Sequence, residues 1–226
     1  MLRLMSLLLI LSAVTACSSK KVKDVDNTET ISRDFEVRDA SSTMRPGWIE
    51  DPEVWAAQEK MDTEKFRYFA FETEPKVNRE IACNLAKANV RADIAGQITT
   101  FIQKTLAASE EGAASIDANN PRTQPMREFV SNTLAEKVQS LVHGASVVKT
   151  YWEKRNYQQK LGAKKEYIGF TCATLIRMED ERLKAAVDKA SEDVVNASDD
   201  AGTKENVKKA LDHVEEDFVK ARKGEV

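Results

Sequence analysis

The chain has 226 residues, of which 42% are hydrophobic and 31% are charged, a composition that is ordinary for a globular protein. Its 34 basic and 37 acidic side chains give a formal net charge of −3, which argues against nucleic acid as a partner, because nucleic-acid binding needs a basic face. No segment approaches 18 consecutive apolar residues, so the sequence predicts no transmembrane helix.

Residues 1–16 are typical of a secretory signal peptide. Arg3 supplies a positive start, and about ten mostly apolar residues follow it, which is half of the roughly 20 that a membrane-spanning helix needs. This short apolar run indicates export of the chain.

Val14-Thr15-Ala16-Cys17 has the pattern of a lipobox, in which small residues before a cysteine fit the tight pocket of the signal peptidase. We expect cleavage before Cys17 and lipidation of this residue, with a second acyl chain on the new amino terminus that makes the anchoring stable. Ser18 favours the outer membrane, because aspartate at this position commonly retains a lipoprotein at the inner membrane. The alternative is an ordinary signal peptide followed by a chance cysteine.

Residues 17–45 are predicted to be the lipidated cysteine and a flexible tether, because the segment is rich in Ser, Thr, Asp and Lys and has few large apolar residues. Residues 46–189 are predicted to form the folded domain, and residues 190–226 a helical extension. Asp51 and Pro52 are typical of the cap and first position of a short helix, which would end near Lys60.

An aromatic run from Phe66 to Thr73 predicts a strand, and a long helix from about Val77 to Ser109 follows it. Apolar residues occupy two stripes of this helix, which predicts burial against both a sheet and another helix. One stripe contains Ile81, Leu85, Ala88, Ala92 and Ala95, and the other contains Cys83, Val90, Ile94 and Phe101.

The second half of the domain is predicted to hold another helix and a β-hairpin. A loop over residues 110–121 leads to a helix from about Thr123 to a glycine stop at Gly144. Two strand-like runs, residues 145–157 and 166–178, then pair as a hairpin. The predicted fold is therefore α+β, with a small antiparallel sheet, two central helices on one face and a helical C-terminal extension.

Residues 183–197 and 207–221 each carry apolar residues at alternating steps of four and three, which is the spacing of a coiled-coil seam. Two interpretations stay open at this point. The seam packs against another chain, or the helices pack within their own chain as a hairpin or on their own domain.

Cys83 and Cys172 are the cysteines that remain besides Cys17, and an oxidising compartment allows them to bridge. If the helix stripe that carries Cys83 packs on the strand face that carries Cys172, the two sulfurs meet in the core. The alternative is two buried free thiols that act as small apolar side chains.

The sequence indicates no catalytic, metal or cofactor site. His143 and His213 lie far apart in sequence, with no acid or thiol at a recognisable spacing, and no phosphate loop or metal-ligand pattern is present. Tyr151, Trp152 and Tyr157, with basic residues between them, form a candidate interaction surface for glycan or peptide. The alternative is a strand that is half in the core.

Several local patterns together are similar to a known family. These are Pro46-Gly47-Trp48, the aromatic strand, the alanine rhythm from Ala82 to Ala95, Tyr151-Trp152-Glu153 and Leu175-Ile176-Arg177. Their order resembles the small outer-membrane lipoproteins that include the flagellar lipoprotein FlgP, over roughly residues 46–187. The resemblance implies a compact α+β domain that works by assembly or adhesion and not by catalysis.

The sequence therefore favours a membrane-anchored cell-envelope lipoprotein with a structural or assembly role. It would act by self-association or protein binding, and a flagellum-associated or a surface-associated role fits this class. We expect no cofactor and no nucleic-acid partner. One alternative is a periplasmic regulatory or ligand-binding lipoprotein that contacts a cell-wall synthesis enzyme. Another is a thiol-dependent hydrolase that uses Cys83 or Cys172.

Overall fold

A computed structural model describes residues 33–142 and 144–225. Four strands are present in this part of the chain: β1 (Phe35–Ala40), β2 (Phe66–Glu72), β3 (Ser146–Tyr157) and β4 (Tyr167–Glu179). The α-helices of the same part are α1 (Pro52–Gln58), α2 (Arg79–Ala108), α3 (Glu110–Ser115), α4 (Gln124–Glu128), α5 (Leu134–Leu141), α6 (Asp180–Asn196), α7 (Ala201–Ala210) and α8 (Val214–Lys223).

The four strands form one antiparallel sheet in the order β1-β3-β4-β2, which confirms the predicted α+β class and the hairpin of residues 145–178. Strand β4 lies between β3 and β2, and Cys172 of β4 stands opposite Trp152 of β3. All residues from Thr171 to Ile176 are buried, so this strand is covered on both of its faces.

Strand β1 contradicts the prediction of a tether that runs to Arg45. Its residues pair with β3, beginning with Phe35 opposite Tyr157. The Phe35 ring lies 5.2 Å from the Tyr157 ring, and the Arg155 guanidinium lies 4.4 Å from the Phe35 ring centre. An edge strand needs few apolar residues of its own, because one side of it faces solvent and its neighbour supplies the pairing.

Helix α2 forms where the sequence predicts it. The Asn78 side chain accepts a hydrogen bond of 2.8 Å from the Ile81 N–H, which caps the helix start. The helix lies on β4 and β2, and α3 and α5 pack against it. Every fourth residue along its length is fully buried: Ala82, Ala86, Val90, Ile94, Ile98, Ile102 and Leu106.

The burial predicted for the first apolar stripe of α2 is wrong over its N-terminal part. Ile81 and Leu85 are 43% and 36% exposed, and Ala88 and Ala92 are also exposed, whereas Ala95 is buried. An apolar count shows that a stripe is able to pack, but it does not show how far the neighbouring elements extend along the helix.

Two further predictions need correction in the segment after α2. Residues 110–115 are helical and not part of a loop, because Ser109 caps them through a 3.0 Å bond from the Gly112 N–H and two glutamates occupy the first turn. The next helix is divided into α4 and α5 by a π-helical turn at Phe129–Thr133. Gly144 has a φ of 78°, which agrees with the predicted glycine stop.

The C-terminal helices are part of the main core, so the intramolecular interpretation of the heptad spacing is the one that the structure shows. Their seam residues belong to the same buried cluster as Ile94 and Ile98 of α2. The buried members are Leu183, Val187, Ala190, Val194, Val207, Leu211, Val214 and Phe218. Residues 190–226 are helical as predicted, and over their described part they pack into the main core.

Phe218→Ala tests whether α8 belongs to the core. The Phe218 ring is buried and lies 5.3 Å from the Phe101 ring of α2 in an edge-to-face arrangement. We expect the variant to lose about 3–5 kcal/mol of the free energy of unfolding, measured by urea denaturation, because a large aromatic side chain leaves a cavity. Lys220→Ala on the exposed face of α8 is the matched control, and an equal loss in both variants would contradict the packing.

Candidate interaction surfaces

The predicted signal peptide and Cys17, the predicted lipidation site, lie outside the described part of the chain with the rest of residues 1–32, and so does His143. The second histidine, His213, precedes α8 with a φ of 61° and is exposed beside Asp212.

A disulfide joins Cys83 in the first turns of α2 to Cys172 in the middle of β4, with the Cα atoms 4.9 Å apart. Ala82 and Ala86 are buried beside it, and their small side chains leave room for the helix to approach the sheet closely. Trp152 of β3 packs against the same cluster. The bridge therefore fastens the N-terminal end of α2 to the central strand.

The bridge removes the nucleophile from the thiol-dependent hydrolase considered as an alternative. A thiolate is the reactive form of cysteine, and neither sulfur is a thiolate while the bridge is intact. The bridged form of the protein therefore does not support this alternative.

Loss of the bridge should be measurable as a loss of stability. It closes a loop across a sequence separation of 89 residues, which in the chain-entropy model stabilises the fold by roughly 4 kcal/mol. We expect the double variant Cys83→Ala, Cys172→Ala to unfold at a lower urea concentration than the unreduced wild type. Mass spectrometry of unreduced, alkylated protein is the direct check, and alkylation of both residues in the wild type would contradict the bridge.

The predicted surface of Tyr151, Trp152 and Tyr157 does not exist as one surface. Side chains alternate between the two faces of a strand, so Trp152 points towards α2 while Tyr151 and Tyr157 point to the opposite face. Tyr151 and Tyr157 are also buried. Strand β3 therefore matches the other interpretation of these residues, in which half of the strand lies in the core.

The Tyr151 face of the sheet carries a charged network. Arg45 donates to both carboxylate oxygens of Glu72, at 3.0 and 2.7 Å, and Arg155 donates to Glu72 Oε1 at 2.7 Å. The Nε of Arg155 donates to Glu153 Oε2 at 2.7 Å, and the Tyr151 hydroxyl donates to Glu153 Oε1 at 2.8 Å. Two arginines and two glutamates thus neutralise one another where Glu153 is only 3% exposed.

The network shifts the pKa of its members in the directions that pairing predicts. Burial by itself would raise the pKa of Glu72, but the hydrogen bond from Arg45 and the charges of Arg155 and Arg45 lower it below its ordinary value. Burial and the adjacent Glu153 carboxylate raise the pKa of the Tyr151 hydroxyl to about 12. Both arginines also have a raised pKa, so the ionised form of the network is the stable one.

Glu72→Gln tests this network through its pH dependence. We expect the variant to lose about 2–4 kcal/mol of unfolding free energy at pH 7, because two largely buried arginines lose their carboxylate. Since the folded-state pKa of Glu72 is lowered, its stabilisation is present above the ordinary pKa of 4.5 and is lost as the pH falls through the folded-state pKa.

The stability gap between wild type and Glu72→Gln should therefore narrow below about pH 4.5, measured by urea denaturation across a pH series. Glu36→Gln is the matched control, because the Glu36–Arg38 pair is exposed on both sides and contributes little. A gap that stays constant down to pH 3 would show that the Glu72 charge does not stabilise the fold.

A second charged network joins the N-terminal and C-terminal elements. Buried Arg67 of β2 donates through Nε to Asp180 of α6 at 2.8 Å, and Glu53 of α1 accepts the Tyr68 N–H at 3.0 Å. Arg222 of α8 donates to the Tyr68 carbonyl at 3.1 Å. Burial raises the pKa of Glu53 and lowers that of Arg222, so for these two groups the neighbouring charges do not fully offset burial.

The exposed apolar surface of α2 is the candidate interaction surface that the structure presents. It comprises the exposed stripe of the helix together with Val77, which lies two residues before α2 and is 82% exposed. The whole set, called the open stripe below, is Val77, Ile81, Leu85, Ala88 and Ala92. A contiguous row of exposed apolar side chains on one helix is typical of a protein interaction site.

Among the described residues, no group of three or more His, Cys, Asp or Glu side chains is placed to hold a metal ion. None of the helices over 33–142 and 144–225 is long and apolar enough to span a membrane.

Comparison of the chain with protein-family models, with curated proteins and with solved structures finds no match. Functional inference for this chain therefore rests on its own residues and on the surfaces described above.

Proposed function

We propose that this protein is a cell-envelope lipoprotein, anchored in the outer membrane by lipid on Cys17, with a structural or assembly role. It acts by self-association or by binding another envelope protein through the open stripe of α2. The exposure of Ile81 and Leu85 is the observation that carries the proposal, because these apolar side chains stay 43% and 36% exposed on a helix that the disulfide and the sheet support.

The support of the stripe favours binding over internal rearrangement. The disulfide fixes the first turns of α2 to β4, and the fully buried side of α2 packs on the sheet and on α5. A helix held in this way presents its exposed side chains without reorganising, which lowers the entropy cost of association.

The N-terminal pattern supports the anchoring part of the proposal. Val14-Thr15-Ala16-Cys17 places the cysteine where lipidation requires it, and Ser18 is the residue that favours the outer membrane. The order of motifs shared with the small outer-membrane lipoproteins, including the flagellar one, is consistent with an assembly role in the envelope.

Cys17→Ser tests the anchor. We expect the full-length variant to remain uncleaved at this site, to carry no acyl mass and to lose labelling by a palmitate analogue, because the serine hydroxyl does not replace the sulfur that receives diacylglycerol. Ser18→Ala is the matched control, and it should be lipidated as the wild type is. Acyl mass on the Cys17→Ser chain, or cleavage before position 17, would contradict the proposal.

A further inference from the structure

The loop that joins β3 to β4 forms one end of the sheet, which we call the hairpin end. The Gln158 carbonyl accepts hydrogen bonds from the Leu161 N–H at 3.0 Å and from the Ala163 N–H at 3.2 Å, so the loop closes on itself. Gly162 has a φ of 107°, which glycine adopts without strain. The loop is therefore an ordered element that holds its exposed side chains in fixed positions.

The chain enters the fold at this same end. The Asp34 carbonyl accepts a hydrogen bond of 3.1 Å from the Gln158 N–H, and β1 begins at the next residue. Residues 18–33 lie between this point and Cys17. A coil of about 16 residues has a root-mean-square length of roughly 22 Å and a maximum length of roughly 54 Å. The anchor proposed at Cys17 therefore keeps the hairpin end within reach of the membrane.

The opposite end of the sheet lies farther along the strands. Strand β4 runs from Tyr167 at the hairpin end to Glu179, and its 13 residues extend over about 40 Å. Helix α1 belongs to the far part, because the Trp55 ring contacts Lys149, which pairs with Leu175 of β4. The two ends of the sheet thus differ in their distance along the chain from the anchor.

Basic side chains outnumber acidic ones in the hairpin loop. Three lysines and one glutamate of the loop are exposed: Lys160, Lys164, Lys165 and Glu166. Two more lysines flank Phe170 near this end, since Lys154 Nζ lies 5.8 Å from its ring centre and Lys76 pairs with it in an isolated bridge. A cluster of this kind is attracted to the anionic headgroups of a membrane.

Two exposed apolar side chains stand beside these lysines. Ile168 is 53% exposed and Tyr167 is 39% exposed. They point to opposite faces of the sheet, but as the first two residues of β4 they both border its hairpin end. The Tyr167 ring stacks on the buried Tyr157 ring at 4.5 Å, which fixes its position. Tyrosine has an apolar ring and a polar hydroxyl, and it is typical of the interface between membrane and water.

We propose that the hairpin end is a second membrane contact. The loop lysines bind anionic headgroups of the leaflet that holds the lipid on Cys17, while Tyr167 and Ile168 enter the headgroup region. This inference rests on the anchoring part of the proposed function and adds an orientation to it. The strands of the sheet point away from the bilayer, and α1 lies on the side remote from it.

The composition of the hairpin end favours a bilayer over a protein as its partner. Lysine is depleted in protein–protein interfaces, whereas its long apolar stem and charged tip suit a headgroup region. The patch is small, but the lipid on Cys17 holds it close to the surface and raises its effective concentration there. The lipid thus supplies the anchoring, and the patch supplies the orientation.

A fluorescent probe at position 168 tests the contact in the lipidated full-length protein. The chain has three native cysteines, of which Cys17 is proposed to carry lipid and the other two form the bridge. An environment-sensitive maleimide dye therefore labels Ile168→Cys selectively. We insert the labelled protein into vesicles of phosphatidylcholine, with or without phosphatidylglycerol, and measure quenching by acrylamide, which is uncharged.

We expect phosphatidylglycerol to lower the quenching constant at position 168 roughly threefold or more and to shift the emission to shorter wavelength. Val54→Cys on α1 is the control, because Val54 is 52% exposed but lies at the far end of the sheet. Its quenching should be the same in both kinds of vesicle. Raising the salt concentration to 1 M should reverse the protection at position 168, because the Debye length falls to about 3 Å.

Charge reversal provides a second readout. The double variant Lys164→Glu, Lys165→Glu, made in the Ile168→Cys background, should lose the protection. Lys208→Glu, Lys209→Glu is the matched control, because these lysines are also adjacent and exposed but belong to α7, which packs on α3 beyond the other end of α2. It should keep the protection. Unchanged circular dichroism shows that both double variants are folded.

Four results would overturn the proposal. They are equal quenching of the Ile168→Cys probe with and without phosphatidylglycerol, equal protection at Val54→Cys, full protection in the Lys164→Glu, Lys165→Glu variant, and protection already present in detergent without lipid vesicles. The last of these would indicate contact between copies of the protein. Mass spectrometry of the same samples reports the acyl mass on Cys17. Acyl mass without protection overturns this inference alone, whereas a wild-type chain without acyl mass overturns the proposed anchoring and this inference with it.

Discussion

The burial of strand β4 on both faces is the constraint on which the rest of the structure depends. The two faces of this strand have different surroundings. Helix α2 covers one face, and α1 and the charged network lie on the other. Cys172 and Thr171 are neighbours on this strand, yet one joins the bridge to α2 and the other belongs to the opposite face. The disulfide thus lies on one face of the sheet, and the Arg45–Glu72 pair lies on the opposite face.

The charged networks have a cost that explains their geometry. Taking an arginine out of water is unfavourable unless its donors are used, so Arg45 and Arg155 are both held by Glu72 in short hydrogen bonds. Such a network contributes less net stability than an apolar core of equal size, but it permits few alternative arrangements. It links Arg45 to β2 and β3, and in this way it fixes the segment before α1 on the sheet.

The sequence predicts those features that depend on neighbours along the chain. Strand β2, the β3–β4 hairpin and the start of α2 at Asn78 follow from local alternation, turn residues and a cap. Strand β1 was not predictable in this way, because its stability comes from β3, more than a hundred residues later. The sequence did not predict that Glu153 and Arg155 are buried, because a charged side chain is expected to be exposed unless its ion-pair partners are known. Their alternation with Trp152 on β3 was the available signal, and it also shows why Tyr151 and Trp152 do not share a surface.

The two spacings within α2 explain why an apolar stripe is left open at one end of the helix. The fully buried residues recur every four positions, and four residues turn an α-helix by about 40° more than one full revolution. The buried side therefore rotates steadily as α2 passes from the sheet, at Ala82, to the helical layer, at Ile102. A second set of residues, the heptad series, advances by alternating steps of four and three, and it turns around the helix by only about 20° per heptad in the opposite sense. Its members are Ile81, Leu85, Ala88, Ala92, Ala95, Thr99, Ile102 and Leu106.

The set of fully buried residues and the heptad series share Ile102 and Leu106, and they lie on different sides of the helix towards its start. At Ile81 and Leu85 the heptad series has moved away from the sheet, while Ala82 and Ala86 face it. Between Ala82 and Val90, the residues of α2 that are fully buried are those that recur every four positions. The apolar residues of the heptad series at the N-terminal end are therefore not needed for the described fold, and the proposed binding of another protein would account for them.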